Sequence, residues 1–202
     1  MSDAYGFLAP IYQPLSRVVF GGDLVEANQT FNDLARDKKC LIIGGGDAVA
    51  YRDWNADFAG EYWDSSLKMA ELAKVNLSKT KVNVNCGKWP GQGEFDVVLL
   101  PFVLDTIPEK KIEKFILLVS SCLTLEGKVI ISDFFPPQTI LQYLIQQLMI
   151  IGFRIFAGHP RRDLPDIRKV MDQVGLKFSK EKIWRKGWIR AQVYEKSINS
   201  SY

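Results

Sequence analysis

The sequence has 202 residues, 47% of them hydrophobic and 24% charged, with a formal net charge of +3. This composition excludes wholesale disorder and collagen-like repetition, and the length suffices for a packed core without covalent staples. Three scattered cysteines, Cys40, Cys86 and Cys122, form no CxxC pair and no complete disulfide framework, and with a single histidine they argue against a structural zinc site. A reducing, cytoplasmic compartment is therefore expected. The start, Met1-Ser2-Asp3-Ala4-Tyr5, lacks a basic stretch followed by an apolar core, so no signal peptide is expected. No apolar run approaches the ~18 residues that span a bilayer.

Charge is unevenly spread. Residues 1–151 carry 14 Lys+Arg against 18 Asp+Glu, whereas residues 152–202 carry 12 against 5. The basic tail suits an acidic surface or ligand, and equally a solvated face. No nucleic-acid partner is expected.

In chain order, residues 1–37 predict a helical N-terminal lid. In Asp23–Arg36, Leu24, Ala27, Phe31, Leu34 and Ala35 recur on one helical face. Tyr5 to Phe20 is aromatic-rich and broken by Pro10 and Pro14. Tyr5 and Tyr12 either cover a ligand or anchor the lid.

From Lys39 the pattern changes. Cys40-Leu41-Ile42-Ile43 is a continuous apolar run, as in a strand buried on both faces. It stops at Gly44-Gly45-Gly46-Asp47, which predicts a tight turn into a helix whose N-terminal amides face a ligand. A second strand, Phe58–Trp63, ends at Asp64. Ser65 and Ser66 offer caps for a helix with Met69, Leu72, Ala73 and Asn76 inward. Lys81–Asn85 and Phe95–Leu100 read as strands, the latter ending at Pro101. Pro108 opens a helix burying Ile112, Phe115, Ile116 and Val119. Glu126-Gly127 turns into a fifth strand, Lys128–Ile131, ending at Ser132-Asp133. This alternation predicts a doubly wound α/β sheet.

After Pro136-Pro137 a greasy helix is expected from Thr139 to Ile151. Leu141, Leu144, Ile145, Leu148 and Ile151 form the stripe expected to pack inward, with Gln142 and Gln146 on another face. The further apolar residues Ile140, Tyr143, Met149 and Ile150 would line a substrate pocket, a homodimer interface or a peripheral membrane contact. A helix at Leu164–Val174 and two strands, Lys177–Trp184 and Trp188–Glu195, follow. Arg185-Lys186-Gly187 joins the strands, and Trp184 and Trp188 bracket that turn as packing residues.

A carboxylate at the end of the second strand, about 20 residues past a glycine turn, is placed to accept hydrogen bonds from ribose hydroxyls. Asp64 meets this description better than Glu61, which would lie inside the strand, where an unpaired carboxylate is costly. The dinucleotide pattern GxGxxG fails, because Val49 stands where its third glycine belongs.

Four segments together resemble the class I S-adenosylmethionine-dependent methyltransferases between Lys39 and Phe134. Leu41–Gly46 resembles the first motif, and Asp64-Ser65-Ser66-Leu67-Lys68-Met69 the acidic stretch after the second strand. Phe95–Leu104 resembles the fourth-strand motif, and Leu123–Ile131 the segment entering the fifth strand. The resemblance implies a Rossmann-like seven-stranded sheet with one antiparallel strand from the C-terminal hairpin. It implies one domain over 1–202, with the lid at 1–37, a cofactor core at 38–134 and a substrate-side helix plus hairpin at 135–202. It implies methyl transfer from S-adenosylmethionine to a small, apolar or aromatic acceptor. Gly44, Gly45, Gly46, Asp47, Asp64, Ser65, Asn85, Cys86, Gly87, Pro101 and Phe102 would bind the cofactor, and no metal is implied. His159, Asp105 and Tyr12 are the catalytic candidates. The alternative readings are that Asp105 caps the helix near Pro108 and that His159 is a residue of a surface loop.

Phe7–Tyr12 is similar to quinone-biosynthesis methyltransferases, with Gln13 where those have Asp. Ala48 stands where the family commonly has glycine, and Asn85-Cys86-Gly87-Lys88 lacks its adenine-side acid. These departures leave two alternatives, a non-catalytic interaction protein and an aminopropyl transferase.

Overall fold

The computed structural model of the protein describes residues 20–157 and 166–196, and of 149–157 the backbone alone. Most of the lid therefore lies outside the described residues. Seven strands form one sheet in the order β3-β2-β1-β4-β5-β7-β6. They are β1 (Lys39–Ile43), β2 (Ala59–Asp64), β3 (Lys81–Cys86), β4 (Phe95–Pro101), β5 (Leu123–Phe134), β6 (Leu176–Trp184) and β7 (Ile189–Lys196). β1 to β5 pair in parallel, and β7 runs antiparallel to both β5 and β6. The helices are α1 (Asp23–Gln29), α2 (Leu67–Asn76), α3 (Glu109–Ser121), α4 (Ile140–Ala157) and α5 (Ile167–Gln173).

The continuous apolar runs exist because both faces of the central strands are covered. Leu41, Ile43, Val98, Leu100 and Ile131 pack with Ile112, Ile116 and Val119 of α3 and Met171 of α5. On the other face Cys40, Ile42, Val97, Leu99 and Ile130 meet Tyr62 and Ala73. Each of the Val, Leu, Ile and Met side chains among them contributes about 1.5–3 kcal/mol by leaving water.

Several sequence expectations change. The helix expected through Arg36 stops at Gln29. Phe31 adopts a left-handed φ of 69°, and a 3-10 turn covers Asn32–Ala35. Thr30 and Asn32 are weak helix formers, and the Thr30 hydroxyl donates to the Glu26 carbonyl instead. α2 buries Ala70 and Ala73, with Leu77 just beyond it, and leaves Leu72 exposed. The alanines let that helix lie close to β2 and β3. Glu126-Gly127 lies inside β5, beside the register shift between Phe95 and Val97, rather than in a turn before it. Pro108 rather than Asp105 occupies the N-cap position of α3, and Asp105 lies in the 3-10 turn before it.

The largest change is α4. Its outward residues are Ile140, Leu141, Tyr143, Leu144 and Leu148, with Ile140 81% and Leu148 70% exposed. Gln142 is buried and Gln146 half-buried. The Gln142 Nε2 donates to the Arg185 carbonyl at 2.9 Å, and its Oε1 accepts from the Gln138 N–H at 2.8 Å. The stripe expected to pack inward thus lies outside, except for Ile145, and the amide stripe packs inward. Ile151, Met149 and Ile150 have side chains outside the described residues.

β6 is an edge strand bearing Lys177, Lys180 and Lys182, charges that discourage a further strand from pairing. Part of the basic tail is neutralised here. Lys182 bonds Glu26 at 2.8 Å and Arg185 bonds Asp23 at 2.5 Å, tying α1 to the hairpin. Lys182, and then Trp184, hold the Glu26 carboxyl below the usual carboxylate range. The buried Ser132 hydroxyl donates to the Ala27 carbonyl at 3.0 Å, seating α1 over β5.

Candidate functional site

β1 delivers the chain into Gly44–Asp47, and the Gly44 N–H extends the ladder to the Trp63 carbonyl at 2.8 Å. A Cβ on Gly44 would stand 2.5 Å from Val103, and one on Gly45 2.6 Å from the Tyr62 ring. The turn is therefore wedged between the loop after β4 and a tyrosine of β2. Gly46 differs, since it has a φ of +61° and no atom within 4 Å of where a Cβ would be. A ligand can approach this backbone closely.

The helix expected after the turn is absent. Asp47 Oδ1 accepts from the Val49 N–H at 3.1 Å, and its carbonyl accepts from Asn76 Nδ2 at 2.8 Å. Ala48 follows with a left-handed φ of 57°, and only a 3-10 turn, Val49–Tyr51, forms. The following residues instead build an aromatic floor. Trp54 lies 4.8 Å from Tyr51 and stacks on Phe58 at 4.0 Å between centroids. The donors offered here are loop amides, not a helix N-terminus.

Asp64 ends β2, as the spacing predicted. Its Oδ2 accepts from the Gly46 N–H at 3.1 Å and its Oδ1 from the Ser66 N–H at 2.9 Å. The Gly87 N–H donates to the Asp64 carbonyl at 2.8 Å. Gly87 has a φ of +130° and open space on its side-chain side. Asp64 thus links two open glycine turns. Glu61 lies inside β2, where its Oε2 accepts from Trp63 Nε1 at 2.8 Å. Ser65 is exposed, whereas Ser66 is buried and caps α2 by accepting from the Met69 N–H at 3.4 Å.

The Asn85 amide turns to the carbonyls of Tyr62 and Asn83, at 3.4 and 3.2 Å. Cys86 is exposed at the end of β3. Pro101 is the buried last residue of β4. Phe102 follows at a φ of 49°, and its N–H donates to the Ser132 carbonyl at 2.7 Å. Its ring lies 5.2 Å from Phe134, which in turn lies 5.2 Å from Phe20 and 5.6 Å from Trp188. Ile145 of α4 packs against this aromatic cluster. Asp105 sits in the 3-10 turn Leu104–Thr106, just past it. Tyr5, Tyr12 and His159 lie outside the described residues.

Sequence reasoning missed Tyr62, Val103 and the role of Trp188. Tyr62 had a signal, because period-two alternation puts it on the same side of β2 as Asp64. Among the described residues no group of three or more His, Cys, Asp or Glu side chains could hold a metal ion. No helix among them is long and apolar enough to cross a membrane.

No model of a protein family matches this sequence, and no curated protein does. Solved structures do match. The chain is similar to the mitomycin 7-O-methyltransferase MmcR, with a TM-score of 0.69 and 15% identity over 94% of this chain and 58% of that one. It is similar to 1,6-didemethyltoxoflavin-N1-methyltransferase from Burkholderia thailandensis, solved with 1,6-didemethyltoxoflavin and S-adenosylhomocysteine. There the TM-score is 0.65 with 12% identity, covering 96% of this chain and 87% of that one. It is also similar to a TehB-like SAM-dependent methyltransferase from Corynebacterium glutamicum, at 0.60 and 14%, covering 96% and 98%. The chain has the Rossmann-like fold of S-adenosylmethionine-dependent methyltransferases. It spans 58% of the length of MmcR and 98% of that of the TehB-like protein.

Proposed function

We propose that this protein transfers a methyl group from S-adenosylmethionine to a small, apolar or aromatic acceptor. One observation carries the reading. Asp64 ties the open turns at Gly46 and Gly87 together at the carboxyl ends of β1 to β3, where ligands bind in open α/β sheets. The residues present fit the cofactor. Asp64 accepts from ribose hydroxyls, and Gly46 and Gly87 admit a nucleoside to the backbone. Gly44, Gly45, Asp47, Ser65, Asn85, Cys86, Pro101 and Phe102 complete the cleft edge.

The cofactor's sulfonium supplies an electrophilic methyl group. The chain's task is to align the acceptor and exclude water. Phe102, half-buried against the buried rings of Phe20, Phe134 and Trp188, would provide an apolar edge for that. An aromatic edge of that kind suits a planar or apolar acceptor. Asp105, and His159 and Tyr12 outside the described residues, are the groups to test for proton removal.

A second reading, a non-catalytic interaction protein, draws on the outward apolar face of α4. That face suits a homodimer or a peripheral membrane contact. The aminopropyl-transferase alternative has less support, since the loop after β4 offers Asp105 as its one carboxylate for a polyamine. Calorimetry with S-adenosylmethionine and S-adenosylhomocysteine separates these readings. Binding of both supports methyl transfer, and absence of binding favours the interaction protein. Mass spectrometry of ligand carried through purification would identify the acceptor class.

A further inference from the structure

We propose that the outer face of α4 docks on an anionic membrane surface, its apolar side chains entering the headgroup boundary while basic groups beside it meet the lipid phosphates. The proposal goes beyond methyl transfer, and its test needs no cofactor.

α4 is inverted relative to the surface helix of a globular domain, which turns its apolar residues inward and its polar ones out. Gln142 is buried and donates to the Arg185 carbonyl, and Gln146 accepts from the Trp188 indole. Ile140, Leu141, Tyr143, Leu144 and Leu148 are instead 52–81% exposed. Residues 140, 144 and 148 follow one another at the spacing of a helical turn, so the stripe runs about 12 Å along one side. The glutamine bonds hold it outward. Rotating α4 to bury the leucines would leave the Arg185 carbonyl and the Trp188 N–H without these partners. A contiguous apolar stripe on a surface marks a place where something else is met.

Charge decides what meets it. Between Pro136 and Arg162 the sequence has no Asp or Glu and three arginines, Arg154, Arg161 and Arg162. The turn that Gln142 grips adds Arg185 and Lys186. Arg185 is paired with Asp23, whereas Lys186, exposed in the turn, pairs with no carboxylate among the described residues. An anionic lipid surface supplies the negative charge, and its acyl boundary takes aliphatic side chains without directional partners. Tyr143 suits the headgroup level, with an apolar ring and a polar tip. A second copy of the chain fits less well. It would bring the same cations to the contact, and of the five stripe residues Tyr143 alone has a hydrogen-bonding group for the polar contacts that protein interfaces carry. No helix among the described residues is long and apolar enough to cross a membrane, so the contact is peripheral.

The test is co-sedimentation of the purified protein with vesicles of phosphatidylcholine, and of phosphatidylcholine mixed with phosphatidylglycerol, at low and high salt. The wild type should bind the mixed vesicles at least about tenfold more strongly than the neutral ones, and salt should shrink that preference. Lys186→Gln should weaken binding about fivefold, the share of one cation near such a surface. Leu144→Ser combined with Leu148→Ser should weaken it about tenfold or more, with the melting temperature within a few degrees of wild type. Absence of binding to the mixed vesicles overturns the proposal, as does undiminished binding by the double variant. A dimer seen by light scattering that the double variant dissolves, without vesicle binding by the wild type, assigns the face to a second copy and also overturns it. A double variant that fails to fold means that the chain itself covers these leucines, and the proposal falls. Because vesicle binding is read without cofactor, a wild type that binds vesicles but no S-adenosylhomocysteine refutes the methyltransferase reading and leaves this one standing.

Discussion

The indole Nε1 of Trp188 donates to Oε1 of Gln146 at 3.1 Å, joining the start of β7 to the middle of α4. Trp188 is almost fully buried among Phe20, Phe134 and Ile189. A buried indole N–H needs a neighbour to supply an acceptor. Gln146 does so, and Gln142 four residues earlier takes the Arg185 carbonyl in the same way. The helix is oriented by these two polar residues, and Ile140, Leu141, Leu144 and Leu148 are left outside.

Gln146→Leu should therefore cost about 1–3 kcal/mol, because it strands the Trp188 N–H in an apolar cluster. Leu148→Ser on the outer face should change stability by less than about 0.5 kcal/mol. Urea unfolding midpoints of the two variants would show the contrast. The reverse order would mean that the apolar stripe faces the domain in solution.

Asp64→Ala should weaken S-adenosylhomocysteine binding by about 1–3 kcal/mol. Two losses combine, the acceptor for ribose hydroxyls and the anchor of the Gly46 N–H. Calorimetry on the folded variant measures the change, and unchanged affinity would remove Asp64 from the site.

Thiol reactivity should separate the cysteines. Cys86 is exposed, whereas Cys40 and Cys122 are buried. Burial pushes the Cys40 thiol up to about 12, which suppresses the reactive thiolate. One thiol should titrate in the native protein and three after denaturation. Three fast thiols in the native state would contradict the burial of β1.

The Lys128–Glu195 pair should give an acid-dependent contribution. Lys128 Nζ lies 2.6 Å from Glu195, and Lys128 first, with the Ser179 hydroxyl, holds that carboxyl below its ordinary value. A depressed carboxylate pKa stabilises the fold above the unfolded value of ~4.3, and the effect is lost as pH falls through the folded value. The gap in urea midpoint between wild type and Lys128→Met should be small at neutral pH, because both groups are partly solvated. It should close on acidification below pH ~4. A gap that widens in acid would reverse the assigned sign.

The sequence by itself determined the sheet. Cys40–Ile43 and Phe95–Leu100 are apolar at every or nearly every position, which only burial on both faces tolerates, and the alternation with helices follows from that. It also placed Asp64 at a strand end and the glycine turn before it, because strand length and turn chemistry are local properties.

What lay between those points was decided by tertiary contacts. Ala48 in a left-handed conformation and the packing of Tyr51, Trp54 and Phe58 replaced the helix expected after the glycine turn. The alanine face of α2 won over Leu72 because close approach to the sheet was worth more than one larger side chain. In α4 both a leucine stripe and a glutamine stripe recur at helical spacing, so the sequence offers two inward faces. The choice belonged to Trp188 and the Arg185 carbonyl, more than 40 residues away, since a polar group buried without a partner costs more than an apolar side chain left in water.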